Sequence, residues 1–468
     1  MSAPGTTEQP LRVAIIGAGP TGFYAADHLL KQPGMVIEVD LFDRMPTPHG
    51  LVRAGVAPDH QKIKSVTATF DKVAAHPRFR FFGGIELGKD ITTADLRHHY
   101  HQIVYSTGAQ TDRRMGIPGE DLAGSHPATE FVAWYNGHPD YRHLEFDLSA
   151  ERAAVVGVGN VAVDVARILC RTPDELAVTD IADYALEALR KSRIKEVYLL
   201  GRRGPAQAAF TNPEIREMGE LADADVCTLA DEVELDALSR AALEATPDRA
   251  TAKKVEILQS YAGRRPRGKS RRLVIRFLVS PVELLGDELG RVRAMKLVKY
   301  RLEATASGAL AAKPTGIFEE LPVGLVFRSV GYKGVPLPGV PFHESGGVIL
   351  NDKGRVLDPD SKAPILGEYT AGWIKRGPTG VIGNNKADSV ETVNAMLEDV
   401  AAGALPTPPA PDPGALEALV RERQPAFVSF PDWKRLDRIE VERGAALGRP
   451  RVKLTSVEEM LAALAPAR

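Results

Sequence analysis

The chain has 468 residues, 44 % of them apolar, and a formal net charge of −2. That near-neutral balance excludes a general affinity for nucleic acid or anionic membranes, and the length gives room for roughly three domains of average size. Two cysteines, Cys170 and Cys227, supply neither a disulfide framework, nor a CxxC redox pair, nor the ligands of an iron–sulfur cluster, so any electron chemistry requires a bound organic cofactor.

Residues 1–10 are short and polar, without the apolar core of a secretory signal, and no run approaches the ~18 apolar residues of a membrane span. The expectation is a soluble cytoplasmic protein. Val13 to Ile16 form a short apolar run bounded by glycine, which reads as a buried parallel strand. Gly17-Ala18-Gly19-Pro20-Thr21-Gly22 follows, and Phe23 to Leu30 has helical spacing. Strand, glycine turn and helix in that order place a helix N-terminus beside a close-approach backbone. Its free amides bind a pyrophosphate, and a Cβ there would block the approach. Val36 to Phe42 reads as the second strand. Asp43 stands about 20 residues beyond the last glycine, where a carboxylate accepts a ribose hydroxyl and repels a 2′-phosphate. This half therefore binds FAD or NAD. Met45 to Arg53 is a loop punctuated by proline and glycine, and Ile63 to His76 reads as a helix. Arg78–Phe82 and Glu86–Leu87 read as strands of an excursion from the sheet. Ile103 to Ala109 is a further strand, arriving beside the ligand through Gly108.

A second fingerprint repeats the pattern. Ala153 to Val156 is its strand, Gly157-Val158-Gly159-Asn160-Val161-Ala162 its turn, and Val163 to Leu169 its helix. Ala162 is an accepted variant, because the third position sets helix–strand packing. A helical insertion, Asp174 to Lys195, precedes the strand Glu196 to Leu200, which ends in Gly201-Arg202-Arg203-Gly204. Two guanidiniums stand where the first half has a carboxylate, and arginine pairs with a 2′-phosphate through bidentate, charge-assisted hydrogen bonds. The contrast assigns FAD to the first half and NADP(H) to the second. Residues 226–330 read as alternating strands and loops that complete this second domain. Gly324 to Val330 is a strand whose end, through Gly331, leads back to the first domain. Tyr369 to Trp373 is a strand end, Ile374 to Gly383 a glycine-rich turn, and a helix runs from Asn385 to about Ala401. Leu405 to Pro413 is a proline-rich linker, and residues 414–468 are helical and charged. The predicted architecture is α/β: two Rossmann-like dinucleotide-binding domains, the NADP domain (112–331) inserted into the FAD domain (11–111 and 332–468, the latter with a C-terminal helical extension).

With these strings in view, the chain resembles the ferredoxin–NADP(H) reductases of the adrenodoxin-reductase type, nearly end to end. The specific signatures are GLVRAGVAPDH (Gly50–His60), GNVAVDVARIL (Gly159–Leu169), GRRGPAQAAFT (Gly201–Thr211) and AGWIKRGPTGVIG (Ala371–Gly383). The resemblance implies that FAD is held by Thr21, Asp43, Leu51, Leu87, Trp373 and the backbone of Gly380, Val381 and Ile382, beside the fingerprint glycines Gly17, Gly19 and Gly22. It implies that NADP meets Gly157, Gly159, Asn160, Val161, Arg202, Arg203 and Glu214, with Arg113 assisting. His60 and Asp164 match the pair that the family places near the flavin as a proton route. Glu214 would orient the nicotinamide carboxamide, and Trp373 would stack near the ring. Lys31 and Arg216 match docking positions for the partner. Two departures stand out: His49 replaces an aromatic residue before Gly50, and Asp43 replaces the commoner glutamate with one methylene fewer.

The implied activity is hydride transfer from NADPH to FAD N5. Single electrons then pass to an iron–sulfur ferredoxin with an acidic face, which can feed a cytochrome P450 or a similar acceptor. The cofactors supply the reaction, and the protein supplies orientation and electrostatics. No metal site is expected, and a monomer is favoured over an oligomer. Taken alone, Arg202-Arg203 reads as a solvated turn, Glu214 as an exposed helix carboxylate, Asp164 as a helix cap or pair, Trp373 as core, and His60 as part of a Pro58-Asp59-His60 turn. Arg264 to Arg272, a dense basic loop, reads either as a solvated face or as a dock for an acidic partner. Rival functions are an FAD/NADPH monooxygenase with an enclosed substrate pocket and a non-catalytic dinucleotide-binding redox sensor. The missing CxxC excludes a disulfide reductase.

Overall fold

Two parallel sheets, each opening with a strand, a glycine turn and a helix, organise the chain in a computed structural model that describes residues 4–380 and 382–465. The first sheet has the order Asn351–Asp352, Arg355–Leu357, Pro364–Thr370, Gln102–Tyr105, Leu11–Ile16, Ile37–Asp43, Phe79–Gly83. Its last five strands are parallel. Leu11, Val13 and Ile15 pack to one side with the helix Pro20–Leu30, and Ala14 and Ile16 pack to the other. Burial on both faces explains why this strand reads as a continuous apolar run.

The stretch predicted as an excursion is instead the edge of this sheet. Phe79–Gly83 pairs in parallel with Ile37–Asp43, with Phe79 and Phe81 in one core layer and Phe82 in the other. Glu86–Leu87 is not a strand; a turn holds it, with a single bridge from Leu87 to Ile91.

The second sheet has the order Ser125–Pro127, Leu325–Arg328, Arg152–Val156, Glu196–Gly201, Arg271–Phe277, Ala224–Thr228, all parallel. A three-stranded antiparallel sheet, Val279–Gly286, Val292–Ala304 and Leu310–Leu321, packs Met295 and Leu297 against Ala154 and Val156. Residues 226–330 are thus not only strands and loops. The helices Ala230–Val233, Ala237–Ala245 and Arg249–Ala262 connect Ala224–Thr228 to its parallel neighbour Arg271–Phe277, as a parallel pair requires of its crossover. Asp236 and Asp248 cap two of these helices through their side chains, a start signal present in the sequence.

The strands of the second sheet are nested in sequence within those of the first. The chain crosses between the sheets through Thr111–Asp112 and returns through Tyr332–Lys333, and these two-residue strands pair antiparallel. The C-terminal helices Phe430–Ala445 and Val457–Leu464 form their own small core around Trp433, Leu436, Leu454 and Met460. Among the described residues no helix is long and apolar enough to cross a membrane.

Candidate functional site

Each glycine of the first fingerprint has a separate task. Gly17 has φ +110°, and a Cβ there would lie 2.7 Å from the Ser106 carbonyl oxygen. A Cβ on Gly22 would lie 2.2 Å from the Gly17 carbonyl, whereas one on Gly19 would meet nothing within 4 Å. The first and third glycines therefore fix the turn and the helix approach, and the second faces open space suited to a pyrophosphate. Gly19 caps the helix Pro20–Leu30 without a side-chain bond, leaving first-turn amides for an anion.

Asp43 ends its strand beside this turn. Its Oδ2 accepts from the Ala18 N–H at 2.8 Å and its Oδ1 from the Met45 N–H at 2.9 Å. The shorter side chain thus braces the glycine loop itself, and each oxygen keeps a second lone pair for a ribose hydroxyl. Burial raises its pKa, against the pull of those amides and Arg44. His49 has φ +83°, and its N–H donates to the Ala18 carbonyl at 2.8 Å. Its ring turns inward among Phe23, Phe70 and Trp433, with centroids 5.6, 5.9 and 5.7 Å away. Leu51 follows Gly50, where a Cβ would lie 2.9 Å from the Gly19 Cα. Leu87 is buried in the core layer that also holds Phe42 and Phe82.

The returning strand reaches the same turn. A Cβ on Gly372 would lie 2.4 Å from Thr21 Oγ1. The Gly372 N–H donates to Asp388, and Ser389 Oγ donates to the Thr21 carbonyl at 3.0 Å, which locks the helix Asn384–Ala401 to the fingerprint. Trp373 stacks on Tyr332 of the crossing ribbon, with centroids 6.4 Å apart and planes 16° apart, and its Nε1 donates to the Thr379 carbonyl at 3.2 Å. Gly380 is exposed with φ +80° and lines a cavity of about 450 Å³ with Arg376, Asn384 and Asp388. Ile382 is partly buried; Val381 lies outside the described residues.

The second fingerprint divides its work in the same way. Gly157 has φ +132°, and a Cβ there would lie 2.1 Å from the Ser329 carbonyl, while one on Gly159 would meet nothing within 4 Å. Ala162 is fully buried in the third position. Asn160 Oδ1 accepts from the Thr211 N–H at 2.9 Å, and the Ala209 and Phe210 amides donate to the Val158 carbonyl, so this turn is tied to the segment that follows Gly201–Gly204. Val161 is partly buried beside them. Arg202 and Arg203 are exposed, and among the described residues neither side chain has a hydrogen-bond or ion-pair partner. The Arg113 guanidinium donates to the Gly346 carbonyl at 3.1 Å, and its N–H to the Gly331 carbonyl at 2.8 Å. It braces the crossing between the sheets.

His60 sits where the two units meet. Its Nε2 lies 2.9 Å from Glu217 Oε2 and its Nδ1 3.8 Å from Asp164 Oδ1. Arg167 Nη2 is 2.7 Å from that same Oδ1, but not in hydrogen-bonding geometry, so Oδ1 lacks a donor. Burial raises the Asp164 pKa, against the pull of Arg167 and His60. Burial likewise raises that of Glu214, with repulsion from Asp164 and Glu217 added, and Glu214 Oε2 is buried without a donor. Asp59 behaves oppositely: burial disfavours its charge, yet Arg167 and Arg171, at 2.8 and 2.7 Å, hold its carboxyl well below the usual range. The structure therefore brings His60, Asp164 and Glu214 into one cluster. Glu217 joins this cluster from three residues after Glu214 on the helix Asn212–Met218, a spacing that puts both carboxylates on one face.

The predicted docking positions fare differently. Lys31 pairs with Asp27 at the C-terminal end of its helix, and Arg216 is exposed. The basic loop 264–272 lies at the wrong edge of its sheet. Arg272 is level with Glu196, the first residue of the strand whose far end carries Arg202 and Arg203. At about 3.3 Å per residue the loop stands roughly 17 Å from the end that carries Arg202 and Arg203.

Comparison with known proteins matches residues 11–201 to the pyridine nucleotide-disulphide oxidoreductase family. The chain is 47 % identical to the NADPH-ferredoxin reductase FprA of Mycobacterium leprae, covering 96 % of this chain and 97 % of that one. The chain belongs to the NADPH–ferredoxin reductase family. The human mitochondrial NADPH:adrenodoxin oxidoreductase is 44 % identical, over 97 % of this chain and 92 % of its own length. Among solved structures, Mycobacterium tuberculosis FprA in complex with NADPH aligns with a TM-score of 0.90 at 44 % identity, covering 97 % of this chain and 100 % of that one. Both open glycine cradles of this reductase family member therefore sit in a two-sheet frame shared with a nucleotide-bound relative.

Proposed function

We propose that this protein is an FAD-containing, cytoplasmic, monomeric NADPH–ferredoxin reductase, with an NADP unit (112–331) inserted into an FAD unit (11–111 and 332–468). The observation that carries the reading is the pair of open cradles at Gly19 and Gly159, one flanked by a carboxylate and the other by two unpartnered guanidiniums. Those residues fit the two dinucleotides: a Cβ would fill each cradle, and only the second can meet a 2′-phosphate. Gly17, Gly19, Thr21, Gly22, Asp43, Leu51 and the 380–382 backbone would hold FAD, with Leu87 in the wall behind. Gly157, Gly159, Asn160, Val161, Arg202 and Arg203 would hold NADPH.

Bound FAD supplies a two-electron acceptor for the nicotinamide hydride that can release its electrons singly. The chain does the rest. The donor-free Oε2 of Glu214 accepts a hydrogen bond from a carboxamide, because a buried acceptor without a donor is costly, while Asp164, paired with Arg167, holds the opposite side of the cluster. Trp373, stacked on Tyr332, walls the nicotinamide side and excludes water. His60, held at Nε2 by Glu217, carries a proton at Nδ1 toward Asp164. The acceptor is an iron–sulfur ferredoxin, as the names of the relatives support; in this reading it presents an acidic face and can feed a cytochrome P450. Anaerobic titration tests the assignment: one equivalent of NADPH bleaches the visible flavin absorbance, and NADH does so only at much higher concentration. Purified protein without flavin, or equal bleaching by both coenzymes, refutes it.

A further inference from the structure

The C-terminal residues, marked in the sequence only as helical and charged, turn their charges inward. Glu440 is fully buried and accepts from both terminal nitrogens of Arg53, at 2.8 and 2.5 Å. Arg53 lies in the short helix that begins at Leu51 and sits over the Trp433 ring. Lys453, whose side chain is 1 % exposed, is 3.3 Å from Asp180 and donates to the carbonyls of Arg53 at 3.1 Å and Asn136 at 3.0 Å. Asp180 also accepts from Lys64 through both oxygens at 2.7 Å. Arg53 and Lys64 belong to the unit around the first sheet; Asn136 and Asp180 belong to the unit around the second.

One buried ammonium thus draws its acceptors from both units. Leaving any of them unmade costs a buried charge its compensation, so the cluster is satisfied at a single mutual placement. Other restraints also cross between the units: the buried Lys64–Asp180 pair and Asp59 with Arg167 and Arg171. The crossing ribbon is two residues long on each strand, and the Arg44–Asp140 pair is 35 % and 42 % exposed, where ion pairs contribute little. Lys453 differs from these in touching both units from a third segment.

We propose that residues 430–464 are an interdomain clamp, with Lys453 as its positioning residue, that holds the NADP unit against the FAD unit at the distance hydride transfer requires. This rests on the assignment of the two units to FAD and NADP(H) made above. Lys453→Met keeps the stem and removes the donors. In the FAD-loaded variant, the limiting rate of flavin reduction at saturating NADPH falls about 10- to 100-fold, as a shift of about 1 Å costs, with the NADP+ Kd within about twofold of wild type. Reoxidation by ferricyanide, which needs no mutual placement of the units, is unchanged, and small-angle scattering of the NADP+ complex shows a larger radius of gyration. Asp180→Asn shifts the same readouts, and the double variant is not additive, because the two residues share one contact. Should Lys453→Met not fold, Arg449→Met, which removes the clamp's donors to the Thr179 and Ile181 carbonyls, carries the test. Limiting rates within twofold of wild type, or rate, NADP+ affinity and FAD content falling together, overturn the clamp. Wild-type protein that NADPH fails to reduce removes the cofactor assignment instead, and scattering alone then decides the clamp.

Discussion

Arg203→Ala separates coenzyme choice from everything else the chain does. The side chain is exposed and, among the described residues, unpartnered, so its loss leaves stability within the roughly 0.5 kcal/mol typical of such surface changes. Against a 2′-phosphate the same guanidinium makes a charge-assisted hydrogen bond worth about 1.5–3 kcal/mol. At about 1.4 kcal/mol per factor of ten, that is a rise of roughly 10- to 150-fold in the NADPH KM. NADH carries no phosphate there, so its KM changes by less than about twofold on the same reasoning. The assay is steady-state ferricyanide reduction with each coenzyme at low ionic strength, with thermal unfolding alongside. Equal rises for both coenzymes, or a drop in unfolding temperature that accounts for the loss, refute the phosphate role.

Further outcomes follow from the same geometry. Gly159→Ala leaves the unfolding temperature unchanged yet weakens NADP+ binding by about tenfold or more, because the new Cβ occupies the pyrophosphate approach. Gly157→Ala instead lowers stability by more than about 1 kcal/mol, since it adds a clash at a left-handed position; calorimetry and NADP+ titration distinguish the two. Asp59 has its carboxyl pKa depressed in the folded state, so its contribution is complete above the unfolded value of about 3.9 and is lost as pH falls below it. Asp59→Asn therefore costs stability in urea at neutral pH, and the gap to wild type narrows as the solution is acidified through that range. Neutralising Arg265 and Arg267 together leaves the ferredoxin KM within about twofold, because the loop is farther from the nucleotide edge than a Debye length of about 10 Å. A several-fold rise would identify it as a docking face.

Much of this was legible in the chain because the signals were local. A glycine that must avoid a carbonyl 2–3 Å away, a carboxylate or arginine at a strand end, and a four-residue apolar run each carry their reason within a few neighbours. Long-range pairing was less legible. Nothing in the sequence of Phe79–Gly83 distinguishes an edge strand from a separate hairpin. The helices between residues 230 and 262 carry only Asp236 and Asp248 as start signals, within a stretch that otherwise reads as strands and loops. Arg113 matched by position, but its partner is a carbonyl more than 200 residues away. The C-terminal charges misled most: Glu440 and Lys453 have the types of surface residues, and only tertiary contacts show them buried. Glu217 is the intermediate case, predictable from helix spacing once Glu214 is in view.

The central claim is most directly tested by NADPH-driven cytochrome c reduction on the purified flavoprotein, with and without an added iron–sulfur ferredoxin. A large, saturable increase with ferredoxin that weakens as salt is raised is the predicted result. A response that stays flat across several ferredoxins while peroxide accumulates would contradict it.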